Sequence, residues 1–253
     1  EEIGEDLNRG RELRRIGRIY YLRLNRFQEA RKFFSQAYEL FTELEQVDQQ
    51  VESLLELGLV AEKEGDFKQA LEFYGRAQTL AEEADLRSGL AKAFLYQANS
   101  HWFQGNYQQA FRFQRQALEI ARKLEDKLQQ AFILNTLGLI HWTLNDPKRA
   151  LENLGQSLKL AEASHSLLDI ATAYNNIGLV HRKEKRYLES IEFFKKALKR
   201  DEQLKSKWGQ GYTHRNMGMS FLRMGQLETA EVHLKKAVEL SREIGNRTNL
   251  VKA

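Results

Sequence analysis

The sequence predicts an all-α fold, a solenoid of antiparallel helix pairs, and three observations carry that prediction. Gly58, Ala98, Gly138, Gly178 and Gly218 recur at 40-residue steps, as do the series beginning at Ala30, Ala70 and Ala110 and at Ala37, Ala77 and Ala117. A fixed period of that length marks stacked supersecondary units rather than one globular core. Within a period the apolar residues fall at helical spacing: Leu54, Leu57, Gly58 and Ala61 occupy i, i+3, i+4 and i+7, and Ala70, Tyr74 and Ala77 share a second stripe. Pro147 is the one proline, so the composition permits long uninterrupted helices.

Six repeats follow, over residues 5–46, 48–86, 87–126, 127–166, 167–206 and 207–246, each a helix A, a tight turn and a helix B. In repeat one, Leu13, Ile16-Gly17 and Tyr20 fit helix A, but the step from Gly17 to Ala30 is one residue longer than the step from Gly58 to Ala70 and its equivalents. That puts one extra residue in the turn around Leu24-Asn25-Arg26. Repeat two turns at Glu64-Gly65-Asp66, with Asp66 as a candidate N-cap. Repeat three turns at Gly105-Asn106 and has Gln97-Ala98 where its neighbours have an apolar residue and glycine. Repeat four turns at Asn145-Asp146-Pro147, placing the proline at the first helical position, where its missing N–H is harmless. Repeat five has the less marked Lys185-Arg186, and repeat six has Gly225-Gln226. Glycine inside a helix costs about 0.5–1 kcal/mol relative to alanine, so a periodic mid-helix glycine implies a compensating close approach of helices A and B. Residues 247–253 read as the start of a seventh helix A, and Glu2-Ile3-Gly4 echoes Glu243-Ile244-Gly245. Both ends are therefore expected to belong to a longer array or multidomain protein, and uncapped ends would offer surfaces for self-association by stacking.

Composition narrows the chemistry. The 39 basic and 35 acidic residues leave a formal charge of +4, a mixed-charge surface that demands no anionic partner. Cysteine is absent, which excludes disulfides, thiolate metal sites and cysteine nucleophiles. No apolar run approaches a membrane span and nothing resembles a signal peptide, so the expected location is cytoplasmic. Phosphate loops, dinucleotide fingerprints and nucleophile elbows are missing from the sequence, and the expectation is a non-enzymatic protein without cofactors.

The recurring residues resemble the tetratricopeptide repeat family. Its pattern reads Leu134, Leu137-Gly138, His141, Ala150, Leu154, Ser157 in repeat four, then Tyr174, Ile177-Gly178, His181, Ser190, Phe194, Ala197 in repeat five. In repeat six it reads His214, Met217-Gly218, Phe221, Ala230, Leu234, Ala237. The 40-residue unit, without the family's usual proline after helix B, is similar to the long-helix subgroup of the Pins/LGN scaffolds and of bacterial signalling proteins. The resemblance implies a right-handed superhelix whose A helices line a concave groove. Counting Gly58 as position 8, it implies that positions 2, 5, 6, 9, 12 and 13 face that groove while 4, 7, 8 and 11 pack.

On that frame repeat one offers Arg11, Arg14, Arg15 and Arg18 as a secondary basic groove, with Glu52 and Glu56 on the next helix A able to neutralise it. Repeats three and four offer Tyr96, Asn99, Trp102, Phe103, Phe132, Asn135 and Trp142, aromatic types enriched at binding hot spots. Repeats five and six offer Asn175, Asn176, Arg182, Lys183, Tyr212, Arg215, Asn216 and Arg223. Asn135, Asn175, Asn176 and Asn216 form a partial ladder that either pairs with the backbone of an extended peptide or with a neighbouring A helix. Arg182, Lys183, Arg215 and Arg223 have no acidic partner in the groove set and suit an acidic ligand. His101, His141 and His181 recur at position 11, a packing position. Neighbouring helices lie about 8–10 Å apart, too far for one metal ion to be shared along the series. Basic residues interleave with acidic ones, which argues against nucleic acid. The expected function is a protein-interaction scaffold that binds a peptide segment, acidic and hydrophobic in character, in the groove. The alternative is a regulatory or sensor segment of a larger signalling or transcription-regulating protein, acting on an effector domain in cis.

Overall fold

The computed structural model describes residues 2–245. The seventh helix A expected over 247–253 lies outside the described residues. Twelve α-helices are present among them: α1 (Glu2–Ile19), α2 (Phe27–Glu43), α3 (Val47–Lys63), α4 (Phe67–Glu83), α5 (Arg87–Phe103), α6 (Tyr107–Lys123), α7 (Lys127–Thr143), α8 (Pro147–Ala163), α9 (Leu167–Lys183), α10 (Tyr187–Gln203), α11 (Lys207–Arg223) and α12 (Leu227–Glu243). Odd helices are the A helices and even helices the B helices, and each A helix packs against the B helix that follows it. The result is an all-α repeat solenoid. No helix among the described residues is long and apolar enough to cross a membrane. The chain divides into two compact halves, residues 1–124 and 125–253.

The backbone repeats at half the sequence period. Helices α2 to α12 all have the same length, and their first residues, from Phe27, Val47 and Phe67 through to Leu227, are evenly spaced along the chain. Each connection carries one residue in the left-handed region, from Asn25 and Glu45 through Gly65 and Asp85 to Gly225 and Gly245. The turn after α3 shows the mechanism. The Gly65 N–H donates to the Glu62 carbonyl at 3.0 Å and the Asp66 N–H to the Ala61 carbonyl at 2.9 Å. This pair of bonds satisfies carbonyls that a helix end otherwise leaves open. Asp66 then caps α4 by accepting the Gln69 N–H, and Asp126, Asp146, Ser166 and Ser206 cap α7, α8, α9 and α11 in the same way. Pro147 occupies the first turn of α8.

The extra residue of repeat one is taken up upstream of the turn in which the sequence puts it. Helix α1 runs on into a π-helical turn, Tyr20–Leu24, and Asn25 then takes the left-handed conformation. The Arg26 N–H reaches back six residues, to the Tyr20 carbonyl at 3.0 Å, where the corresponding Asp66 bond spans five. One wide turn thus absorbs the insertion and leaves the connection itself unchanged.

The periodic glycines accommodate a large side chain of helix B. A Cβ on Gly58 would lie 2.2 Å from Tyr74 Cε1, and one on Gly178 2.5 Å from Phe194 Cε1. Gly17 faces Phe34, Gly138 faces Leu154 and Gly218 faces Leu234 in the same manner. Tyr74, Phe34, Phe194 and Leu154 are among the largest fully buried side chains, so each missing methyl admits a whole ring or isobutyl group. Burying such a group fully contributes about 1.5–3 kcal/mol, which outweighs the helix propensity lost. Repeat three departs from this. Gln114 stands where the period puts Tyr74 and Phe194, is 1% exposed, and has no hydrogen-bond partner for its amide.

The histidines at position 11 are packing residues. His101 stacks on Phe113 (ring centroids 5.6 Å apart) and His181 on Phe193 (5.1 Å), each on its own B helix. Tyr20 on Phe33 and Phe221 on His233 make the same contact in repeats one and six. Burial lowers the pKa of His101 and His181, which keeps these rings neutral against Phe113 and Phe193, and it lowers that of the buried His141 against the opposing charge of Asp146.

Candidate functional site

In the amino-terminal half, the A-helix face carries a closed charge network. Arg14 is 8% exposed; its Nε donates to Glu56 at 2.8 Å, and its Nη groups reach Gln49 at 2.7 Å and Glu52 at 3.4 Å. Arg18 also pairs with Glu56, and Lys92 with Glu52. Arg15 pairs with Glu12 on its own helix, at 2.7 Å, and Arg11 is exposed. Three cations from α1 and α5 therefore converge on two carboxylates of α3 between them. Tyr96 of α5 lies half-buried beside this network, stacked on Tyr74 with centroids 5.4 Å apart. Its phenol pKa is raised by burial and by the Glu52 and Glu56 charges. Trp102 and Phe103 stack on one another, and Phe103 is 68% exposed. Asn99 is partly exposed on the same helix.

In the carboxy-terminal half, the asparagines join A helices. Asn176 of α9 donates to Asn135 of α7 at 2.9 Å, and Asn175 donates to Thr213 of α11, also at 2.9 Å. Asn216 of α11 accepts from Arg182 of α9 through both its backbone carbonyl (3.3 Å) and its side-chain oxygen (3.4 Å). Asn175, Asn176 and Asn216 are buried. Of the two roles open to the ladder, its amides here serve the helix–helix seams. The Nδ2 of Asn216 remains without a partner. Phe132 on α7 is 47% exposed, and Tyr212 on α11 carries Arg215 over its ring, 4.9 Å from the centroid.

Arg182, Lys183, Lys185 and Arg223 of repeats five and six converge on one cavity, whose lining does not include Arg215. Trp142, Arg182, Lys183, Lys185, Met219 and Arg223 line a hollow of about 360 Å³ together with Leu179 and Tyr187. Lys183 Nζ donates to the Trp142 carbonyl at 2.8 Å and sits 5.3 Å from the indole centroid. The Trp142 Nε1 is buried and has no acceptor. Arg182 is half-buried, and its pKa is lowered by burial and by the neighbouring Arg215 and Arg223 charges. Among the described residues no carboxylate forms an ion pair with Arg182, Lys183, Lys185 or Arg223. The chemistry is that of an anion receptor with an aromatic wall: four cations gather beside the indole and no carboxylate among the described residues pairs with them.

Sequence reasoning reached Trp142, Arg182, Lys183 and Arg223 through their helical positions, and missed Lys185 and Tyr187. Those two lie in the turn and at the start of α10, outside the A-helix count. The left-handed backbone at Lys185 (φ 61°) holds it at the end of α9. A lysine in the slot that holds Gly65 and Gly105 in other repeats is the signal that could have found it. No group of three or more His, Asp or Glu among the described residues could hold a metal ion.

Comparison with known proteins agrees with this architecture. Residues 11–83, 89–163 and 169–247 each match the family model of the tetratricopeptide repeat. A comparison with curated protein sequences gives no match. Among solved structures the chain is similar to BtubC (BKLC) from P. vanneervenii, with a TM-score of 0.71 at 19% identity over 97% of this chain and 93% of that one. It is similar to a Rap protein complexed with Competence and Sporulation Factor, with a TM-score of 0.70 at 14% identity over 92% and 75% of the two chains. It is also similar to the nearly identical TPR-like repeats of a putative kinesin light chain from Podosopora anserina, with a TM-score of 0.64 at 14% identity over 79% and 98%. At these identities the likeness is one of fold. The family model covers most of the chain in three stretches, and the chain therefore belongs to the tetratricopeptide repeat family.

Proposed function

We propose that the protein is an interaction scaffold that acts by binding, and that the A-helix face of repeats four to six takes an acidic, hydrophobic segment of a protein partner. The observation that carries this reading is the cavity beside Trp142, where Arg182, Lys183, Lys185 and Arg223 gather without a carboxylate. Uncompensated like charges repel, so such a cluster lowers stability unless an anion completes it. A carboxylate placed there gains charge-assisted hydrogen bonds, and an adjacent apolar side chain covers Trp142, Leu179 and Met219. The similar fold of the Rap protein was solved with a bound factor, which supports a ligand-binding reading without identifying the ligand here.

A peptide-display selection against the whole chain tests the proposal. The expected result is enrichment of segments with an acidic residue next to large apolar ones, with affinity at least tenfold weaker for Arg223→Glu and for Trp142→Ala. Selected peptides whose affinity is unchanged by both substitutions would overturn it.

A further inference from the structure

A second cavity on the same face carries the opposite charge. In the first two turns of α11, Trp208 and Tyr212 stack with their centroids 5.6 Å apart at an interplanar angle of 8°, beside a hollow of about 270 Å³ whose lining includes Leu168, Asn175, Ser206 and Asp201. Asp201 is an anomaly of the period. In repeats two, three, four and six the equivalent positions hold Ala81, Ala121, Ala161 and Ser241, all buried, and repeat five places a carboxylate there at 3% exposure.

The surroundings are fitted to that carboxylate. Thr213 donates its hydroxyl to Asp201 Oδ2 at 2.9 Å and accepts from Asn175 Nδ2, also at 2.9 Å. A Cβ on Gly209 would lie 2.2 Å from Asp201 Oδ1, so only glycine admits the acid at this seam. No cation balances it: among the described residues Asp201 forms no ion pair, and the charge felt from its neighbourhood is that of Glu202. Burial raises its pKa foremost, Glu202 adds to that, and the Thr213 hydrogen bond opposes them. A buried, unpaired carboxylate is among the most unfavourable groups a core can hold, yet three residues are shaped around this one. Its neighbours on the open side are apolar and exposed: Trp208 at 56% and Leu168 at 60%. A buried acid behind an exposed aromatic wall matches a cation on an apolar stem, whose methylenes lie along the rings while its head reaches the carboxylate.

We propose that this cavity receives a lysine or arginine side chain of the partner segment, with Asp201 as counter-charge and Trp208 and Tyr212 as the wall. The inference rests on the A-helix face being the ligand surface, and it adds a requirement to the ligand. Thr213 and Arg223 are ten residues apart on α11, about 15 Å at the helical rise, a distance an extended chain covers in about four to five residues. The partner segment therefore carries a basic residue and an acidic one at that spacing.

The test needs no peptide. N-acetyl-arginine amide and the neutral N-acetyl-glutamine amide are titrated into the whole chain, with the backbone amide of Gly209 followed by NMR. The expected result is a saturable shift for the arginine probe, at least tenfold weaker for the glutamine probe and at least tenfold weaker in Asp201→Asn, which keeps the acceptor for Thr213 and the fit against Gly209. Should Asp201→Asn fail to fold, Trp208→Ala, a change at an exposed side chain, is expected to weaken the arginine shift instead. Equal responses to the two probes, or full arginine binding in the folded variants, would overturn the proposal. Failure of Arg223→Glu to weaken acidic peptides would count against the function proposed above and leave this result standing, so the two can fail separately.

Discussion

The A-helix faces of the two halves carry similar numbers of arginines and lysines and use them in opposite ways. Around α3, Arg14, Arg18 and Lys92 surround Glu52 and Glu56, and each charge has its counter-charge inside the fold. Around α9, Arg182, Lys183, Lys185 and Arg223 meet an indole, a methionine and the polar atoms of neighbouring helices, with no carboxylate paired to them. The difference teaches that the sign of a groove cannot be read from a count of its charges. What matters is which charges are already satisfied. The first face is a charge-paired seam, whereas the second keeps cations that no carboxylate among the described residues pairs.

The sharpest way to break this comparison is Glu56→Ala. It leaves Arg14, whose side chain is 10% exposed beside a Glu56 that is 9% exposed, with Gln49 and the longer contact to Glu52 as its remaining partners. Removing one partner of a buried pair costs about 3–5 kcal/mol, and about 3 kcal/mol is expected here in urea unfolding, since both side chains keep some water. A loss under about 1 kcal/mol would show that the seam is no more than a surface pairing.

Next in size is a control on architecture. The two halves pack by the same glycine rule, so Gly58→Ala and Gly138→Ala should both destabilise, by about 1–3 kcal/mol each for an overpacked core. Gly75→Ala and Gly155→Ala meet nothing within 4 Å and should stabilise by about 0.5–1 kcal/mol. Thermal melts of the four variants check the contrast. If Gly58 and Gly138 behaved differently, the halves would differ in packing as well as in charge.

Acid should then separate α11 and α12 from the amino-terminal half. His214 Nδ1 lies 2.9 Å from His233 Nδ1. Burial, His233 and Lys236 push the His214 pKa from 6.5 down to about 4, and burial with Lys195 lowers that of His233. The folded chain holds these rings neutral while the unfolded chain protonates them near 6.5. Stability complete above that value is therefore lost as the pH falls toward 4. Hydrogen exchange should show α11 and α12 losing protection as the pH is lowered through that window, and His214→Tyr, the residue found at the equivalent Tyr174, should reduce the loss. The smallest effect is expected for Arg223→Gln. This exposed residue of the second face should change stability by no more than about 0.5 kcal/mol, in contrast to Glu56→Ala.

The fold was legible because its determinants are periodic. One glycine and two small residues per period locate the packing seam, and Asp66, Pro147 and Gly225 locate turns through known backbone preferences. The turns at Glu45, Glu125, His165 and Lys205 were not legible. Those side chains are placed in the left-handed region by the hydrogen bonding at the helix end, not by their own preference. For the site, helical counting put Trp142, Arg182 and Arg223 on one face, but it could not say where an amide points. Asn175 was as consistent with a peptide backbone as with Thr213, and only the neighbouring helix decides. Asp201 was readable as a charged break in a series of buried uncharged residues, since its equivalents are Phe41, Ala81, Ala121, Ala161 and Ser241.

The uniform connection after every helix bears on how such a chain can change length. Each joint has the same backbone form, whether it falls within a helix pair or between pairs, so the joints themselves would accept an added or lost helix anywhere. The side chains would not. Gain of a single helix would set Gly-bearing A surfaces where B surfaces must sit, and all residues beyond it would present the wrong flank to their neighbours. Gain of two helices would restore the alternation. The widened turn at Tyr20–Leu24 plays the same part for one residue: it acts as a shim that takes up the added length before the next joint, so that α2 onward stays in step. Duplications in whole pairs and single-residue insertions absorbed inside a helix are thus the two kinds of length change this architecture tolerates, and a change by one helix is the kind it should reject.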